Sequence, residues 1–94
     1  MDNRTKFNGL TIAYVWGRAI EVPGLDRRLY RKDRCGSLMK RDEYGQSTSM
    51  GWEIDHAKPL SKGGSNKLGN LQALHQENNR RKGDSWPWHY RPAA

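Results

Sequence analysis

Apolar residues in this chain fall in short clusters separated by polar stretches. The first cluster, TIAYVWGRAI at residues 11–20, spaces Ile12, Val15, Trp16 and Ala19 onto one helical face, with Thr11 placed to open the helix. Its β-branched and aromatic content fits a strand equally well, and Val22-Pro23-Gly24 ends it either way. Residues 1–10 are polar and expected to fray. Residues 29–33 and 37–41 flank Arg34-Cys35-Gly36, which predicts a hairpin with Gly36 at positive φ. Gly45 to Ser49 reads as a loop.

The pattern sharpens in the second half. GWEIDH at 51–56 alternates Trp52 and Ile54 against Glu53 and Asp55, which predicts a short strand. Pro59 and Gly63-Gly64 force turns in the polar stretch that follows. NLQALH at 70–75 places Leu71 and Leu74 for burial, with Ala73 between them, and predicts a second strand. QENNRRK at 76–82 lacks β-branched residues and suits a short helix, capped by Gly83. The aromatic tail SWPWHYRPAA predicts that Trp86 or Trp88 folds back on the core.

Composition changes this picture in two ways. Leu, Ile, Val and Phe number 14 of 94 residues, and the net charge is +7, a balance found in disordered chains. Four Trp and four Tyr argue for a folded chain instead, since each can bury about 150–250 Å². The excess of Lys and Arg points to a polyanionic partner. The longest apolar run, Ile12 to Trp16, cannot span a bilayer, and the first ten residues hold no secretory h-region. The lone Cys35 excludes an internal disulfide and a four-cysteine zinc site. Together these absences suit a cytoplasmic protein.

The residues with chemistry to offer are Asp55, His56, Asn70, Asn79 and Lys82. Asp55 and His56 are neighbours on a strand and so point to opposite faces, where a metal ligand and a proton acceptor can flank one site. A helix starting near Gln76 can return Asn79 towards Asp55. Both residues offer oxygen, the donor that Mg²⁺ and Mn²⁺ prefer.

The stretch WEIDHAKPLSKGGSNKLGNLQALHQENNRRKGD resembles the HNH motif of HNH endonucleases, within the ββα-metal (His-Me finger) group. Asp55 precedes Asn70 by 15 residues, Asn70 precedes Asn79 by 9, and Asn79 precedes Lys82 by 3. These intervals also occur in the HNH domain of RNA-guided CRISPR nucleases. The Gly-Gly turn, the Asn-Leu-Gln-x-Leu strand and Asn-Arg-Arg-Lys-Gly-Asp resemble many bacterial and phage HNH proteins, which leaves a phage origin open. Upstream, Tyr30-Arg31-Lys32-Asp33, Gly36 and Tyr44-Gly45 resemble the lead-in of a bacterial HNH subgroup.

The resemblance implies His56 as general base, Asp55 and Asn79 as ligands of one divalent metal, and Asn70 as a brace of the loop between the strands. Lys82 would contact the scissile phosphate or a metal-site water. The implied activity is hydrolysis of DNA phosphodiester bonds, leaving 5′-phosphate and 3′-hydroxyl ends. Two features depart from relatives. The paired Cys-x-x-Cys motifs of a structural zinc are missing, and Asn78 stands where many have cysteine before Asn79. No structural zinc is expected. An Asp and Asn ligand set, unlike the histidines of colicin-type members, favours Mg²⁺ or Mn²⁺.

Arg80 and Arg81, with Lys58 and Lys62 in the preceding loop, are candidate contacts to the nucleic-acid backbone, as are Arg31, Lys32 and Arg34 in the hairpin. A solvated charged surface is the competing reading, and the hairpin cluster fits both. Sequence preference on double-stranded DNA should be weak. His75 reads as a packed histidine, and the tryptophans read as core. The expectation is one α+β domain over residues 1–94: a small ββα-metal core at 51–84, an N-terminal helix and β-hairpin extension at 1–50, and a tail at 85–94. The expected activity is metal-dependent DNA cleavage. A non-cleaving DNA-binding module of the same fold, or a toxin nuclease or RNase using the same site, are the alternatives.

Overall fold

A computed structural model describes residues 6–90 of the chain. Helix α1 (Gly9–Gly17) is followed by strands β1 (Ile20–Glu21), β2 (Tyr30–Lys32) and β3 (Leu38–Lys40), then β4 (Trp52–His56), β5 (Leu71–His75) and helix α2 (Gln76–Lys82). β1, β2 and β3 form one antiparallel sheet in that order, and β4 and β5 form a second. This is the small mixed α and β architecture expected, with strand, loop, strand and helix in its second half.

The first helix starts earlier than the apolar pattern predicts. Asn8 is its N-cap: the side-chain Oδ1 accepts from Thr11 N at 2.8 Å. Thr11 lies within the first turn and does not open the helix. Leu10 is therefore helical, not frayed, whereas residues 1–5 lie outside the described residues. The helix also ends earlier. Ile20 and Glu21, expected at or beyond its end, pair instead with Lys32 and Arg31 as a short edge strand. The hairpin forms where predicted, and Gly36 turns it at φ 86°.

The apolar core joins both halves. Val15 and Trp16 of α1, Met39 of β3, Trp52 and Ile54 of β4, and Leu71 and Ala73 of β5 form one buried cluster. Trp52 is fully buried between Trp16 (ring centroids 5.1 Å apart) and Tyr44 (4.9 Å). Both indole N–H groups are satisfied: Trp16 donates to the Arg27 carbonyl at 3.1 Å and Trp52 to that of Arg41 at 3.2 Å. A buried indole without such a partner would lose much of what its area contributes. The tail does not join this core. Trp86 is 48% exposed, and Trp88 rests against the Arg34 guanidinium and the Tyr90 ring. Among the described residues no helix is long and apolar enough to cross a membrane.

The register of β4 and β5 decides what lies on each face. Trp52 opposes His75, Ile54 opposes Ala73 and His56 opposes Leu71, on the face turned to the core. Glu53 opposes Leu74 and Asp55 opposes Gln72 on the other face. Helix α2 packs against both strands, so Leu74 and Asp55 are buried as well. The simple alternation of the sequence hides this second covered face.

Candidate active site

Asp55 and His56 end β4 on opposite faces of the ribbon, yet both line one open cleft of about 630 Å³, together with Pro59, Leu60, Ser61, Gly83 and Asp84. Two neighbouring residues reach one cleft because β4 stops there and α2 ends beside it.

Asp55 is buried and both its oxygens are engaged. Oδ2 accepts from Gln72 Nε2 at 2.9 Å, and Oδ1 faces Lys82 Nζ at 3.3 Å. Burial pushes the Asp55 carboxyl up from the ordinary carboxylate range; the Gln72 amide and the Lys82 ammonium pull the other way by binding its charged form. Lys82 is only 2% exposed and also donates to the His56 carbonyl at 3.0 Å. The lysine expected to contact the scissile phosphate or a metal-site water is thus turned inward here, tying α2 to β4 and balancing Asp55.

Asn70 braces the loop between the strands. Its Oδ1 accepts from Lys58 N at 2.8 Å, while Nδ2 donates to the carbonyls of Lys58 (3.0 Å) and Ser65 (2.8 Å). Each glycine of the Gly-Gly turn has its own reason. Gly63 adopts φ 89°, and a Cβ at Gly64 would collide with the Lys58 carbonyl oxygen. The loop so shaped brings Asn66 to His56, with Asn66 Oδ1 2.6 Å from His56 Nε2. Asn66 is not among the residues to which spacing and residue type pointed. The His56 ring also lies 5.9 Å from that of Phe7.

Asn78 and Asn79 are separated clearly. Asn78 is buried, and its amide donates to Asp33 Oδ2 and to Ser37 Oγ, both at 2.9 Å. Asn79 is half-buried, and its amide makes no hydrogen bond among the described residues. His75 is packed, as expected: Nε2 lies 2.7 Å from the Ser49 carbonyl, and Nδ1 accepts from Glu77 N, capping α2. Asp33 links the halves, a role the sequence did not reveal. It is buried, and it accepts from Cys35 N, Ser37 N, His75 N and the Asn78 amide.

Of the basic candidates, Lys32, Arg34, Lys62, Arg80 and Arg81 are exposed and Lys58 is half-buried. Arg31 is not available. It is buried, and its guanidinium donates to the carbonyls of Arg27, Gly17 and Ala19. An arginine in a β-hairpin reads as exposed, but here the end of α1 leaves carbonyls that need a donor.

Asp55 offers carboxylate oxygen, the donor a hard divalent cation prefers, and its Oδ1 faces the Lys82 ammonium at 3.3 Å. Asn79, the other expected ligand, lies on α2 outside the residues that line the cleft. Among the described residues no three His, Cys, Asp or Glu converge. Such an ion would have few protein ligands and would take the rest from water and phosphate.

No curated protein and no solved structure shows a significant match to the chain. The HNH endonuclease family profile matches residues 33–85, which runs from the buried Asp33 through the cleft to just past the end of α2. That is more than half of the sequence, and the chain belongs to the HNH endonuclease family, a family of nucleases that act on nucleic acid.

Proposed function

We propose that the chain is a metal-dependent DNA endonuclease with His56 as its general base. The observation that carries this reading is the placing of Asp55 and His56 together in the lining of one open cleft. A phosphodiester would lie in the cleft with phosphorus within reach of a water on the imidazole. His56 takes a proton from that water as its oxygen bonds to phosphorus. The bond from phosphorus to the 3′ oxygen breaks and the departing oxygen takes a proton from solvent, leaving 5′-phosphate and 3′-hydroxyl ends.

Asp55 and Asn79 would hold one Mg²⁺ or Mn²⁺. When bound, the cation stabilises charge on the phosphate and on the departing 3′ oxygen. Lys82 holds Asp55 in place and fixes the His56 carbonyl, which sets where β4 ends. Exposed Arg80, Arg81, Lys62, Lys32 and Arg34 supply backbone phosphate contacts, which carry little sequence information.

Nicking of supercoiled plasmid tests the reading. Cutting is expected with Mg²⁺ or Mn²⁺ after chelation, and not with EDTA or with Zn²⁺ alone. His56→Ala should lose about 10²–10⁴-fold in rate while binding DNA as before. Wild-type cutting by His56→Ala removes the base assignment. Binding without cutting under every metal condition would make the chain a non-cleaving module, and cleavage of RNA alone would change the substrate.

A further inference from the structure

An imidazole can act as a base only through the nitrogen that carries no proton, and which nitrogen that is depends on what the other one bonds. At His56 the loop between the strands supplies that partner. Asn66 Oδ1 lies 2.6 Å from Nε2, and an amide oxygen can only accept.

The contact is delivered by a braced loop. Asn70 bonds the carbonyl of Ser65, the residue just before Asn66, and both backbone groups of Lys58, two residues beyond His56. The Gly64 amide closes the same loop by donating to the Pro59 carbonyl at 2.9 Å. At its other end, the His56 carbonyl accepts from the buried Lys82.

We propose that Asn66 is the positioning residue of His56: its side-chain oxygen holds the proton on Nε2 and leaves Nδ1 as the bare nitrogen of the ring. Asn66 touches the reacting atoms only through His56. The consequence for turnover rests on the hydrolytic reading above, whereas the tautomer itself does not.

The test has two readouts. The first is the His56 tautomer, read from ring ¹⁵N shifts and two-bond couplings in metal-free protein at a pH where the ring is neutral. Wild type should show the Nε2–H form, Asn66→Ala a shift towards a mixture, and Asn66→Asp, which keeps an acceptor oxygen, the Nε2–H form again. The second is single-turnover cleavage. Asn66→Ala should slow it by about tenfold or more, in line with the loss of partners that orient a functional histidine, with DNA affinity unchanged.

Asn66 makes no other side-chain hydrogen bond among the described residues, so the alanine variant leaves the Asn70 brace intact. An Nδ1–H tautomer in wild type overturns the proposal. So does an Asn66→Ala protein with an unchanged tautomer, or one with a shifted tautomer and unchanged turnover. If wild type fails to cut, or His56→Ala cuts normally, the hydrolytic reading fails, while the tautomer series still decides whether Asn66 sets the ring.

Discussion

Removing the Asp33 carboxylate should cost more stability than almost any other single change in this chain. Oδ1 accepts from the backbone N–H of Cys35 at 3.0 Å and of Ser37 at 2.9 Å, and Oδ2 accepts from His75 N and from Asn78 Nδ2, both at 2.9 Å. The first pair shapes the hairpin turn; the second crosses to β5 and α2. Hydrogen bonds to a charged group contribute about 1.5–3 kcal/mol each. In Asp33→Ala, water can reach the donors at Cys35 and Ser37, whereas those at His75 and Asn78 lie in buried contacts. Counting only the buried pair gives a loss of about 3–6 kcal/mol, a large share of the roughly 5–14 kcal/mol expected for a domain this size. Asp33→Asn keeps the shape but can offer oxygen to only one pair of donors, so it should lose about half as much.

Urea unfolding followed by tryptophan fluorescence and by far-UV circular dichroism measures both variants, since Trp16 and Trp52 report the joint core. We propose that the hairpin half and the ββα half unfold as one unit, so the two signals should coincide in wild type, with a single m-value. An Asp33→Ala protein within about 1 kcal/mol of wild type would refute the accounting. Separate transitions for the two signals in wild type would refute the single unit.

Other expectations follow from named contacts. Lys82→Met leaves Asp55 buried without its cation, which should destabilise the metal-free protein by about 3–5 kcal/mol. Burial already raises the Asp55 carboxyl, and a raised folded-state pKa gives stability that is present at low pH and lost as pH rises through it. The variant should therefore recover part of its loss on acidification from pH 7 to 5, and a loss independent of pH would refute this. The Cys35 thiol is pushed up to about 11, chiefly by burial and then by the charge of Asp33. At pH 8 its thiolate fraction is on the order of 10⁻³, so iodoacetamide should modify it far more slowly than glutathione, with a rate rising about tenfold per pH unit; glutathione-like reactivity would contradict the burial. On DNA, a double Lys32→Ala, Arg34→Ala variant should flatten the slope of log K against log salt by about two units, and an unchanged slope would mean that the hairpin turn faces solvent.

Residues whose partners are near in sequence were legible, and residues whose partners come from far away were not. Alternation in WEIDH, the apolar NLQAL and the glycine after QENNRRK placed β4, β5 and α2 nearly to the residue, and Gly36 placed the hairpin. The start of α1 was misread because Asn8 and Thr11 are both good caps three residues apart, and only the bond from Thr11 N to Asn8 Oδ1 tells which one lies outside. Asp33 has the local signature of a turn aspartate, which it is, but its second oxygen bonds His75, 42 residues on. Arg31 looked like surface charge because nothing local announces that the carbonyls of Gly17 and Ala19 converge on it.

The same distinction explains why spacing picked out His56 but not what surrounds it. The adjacent Asp55 and the intervals to Asn70 and Lys82 are linear features. The surroundings arise when three segments meet. Lys82 arrives from the end of α2 and fixes the His56 carbonyl; its spacing from Asn79 does not show that it lies buried against Asp55. Asn66 arrives on the loop that Asn70 braces and reaches the ring nitrogen. Phe7, ahead of the helix in a segment that reads as a polar end, places its ring 5.9 Å away. The backbone of His56 and its imidazole are thus held by different elements. On the proposed reading of His56 as general base, a change in either element can alter it without touching it, so losses of activity at Lys82 and at Asn66 should be separable: the first moves the strand end and stability together, the second only the ring.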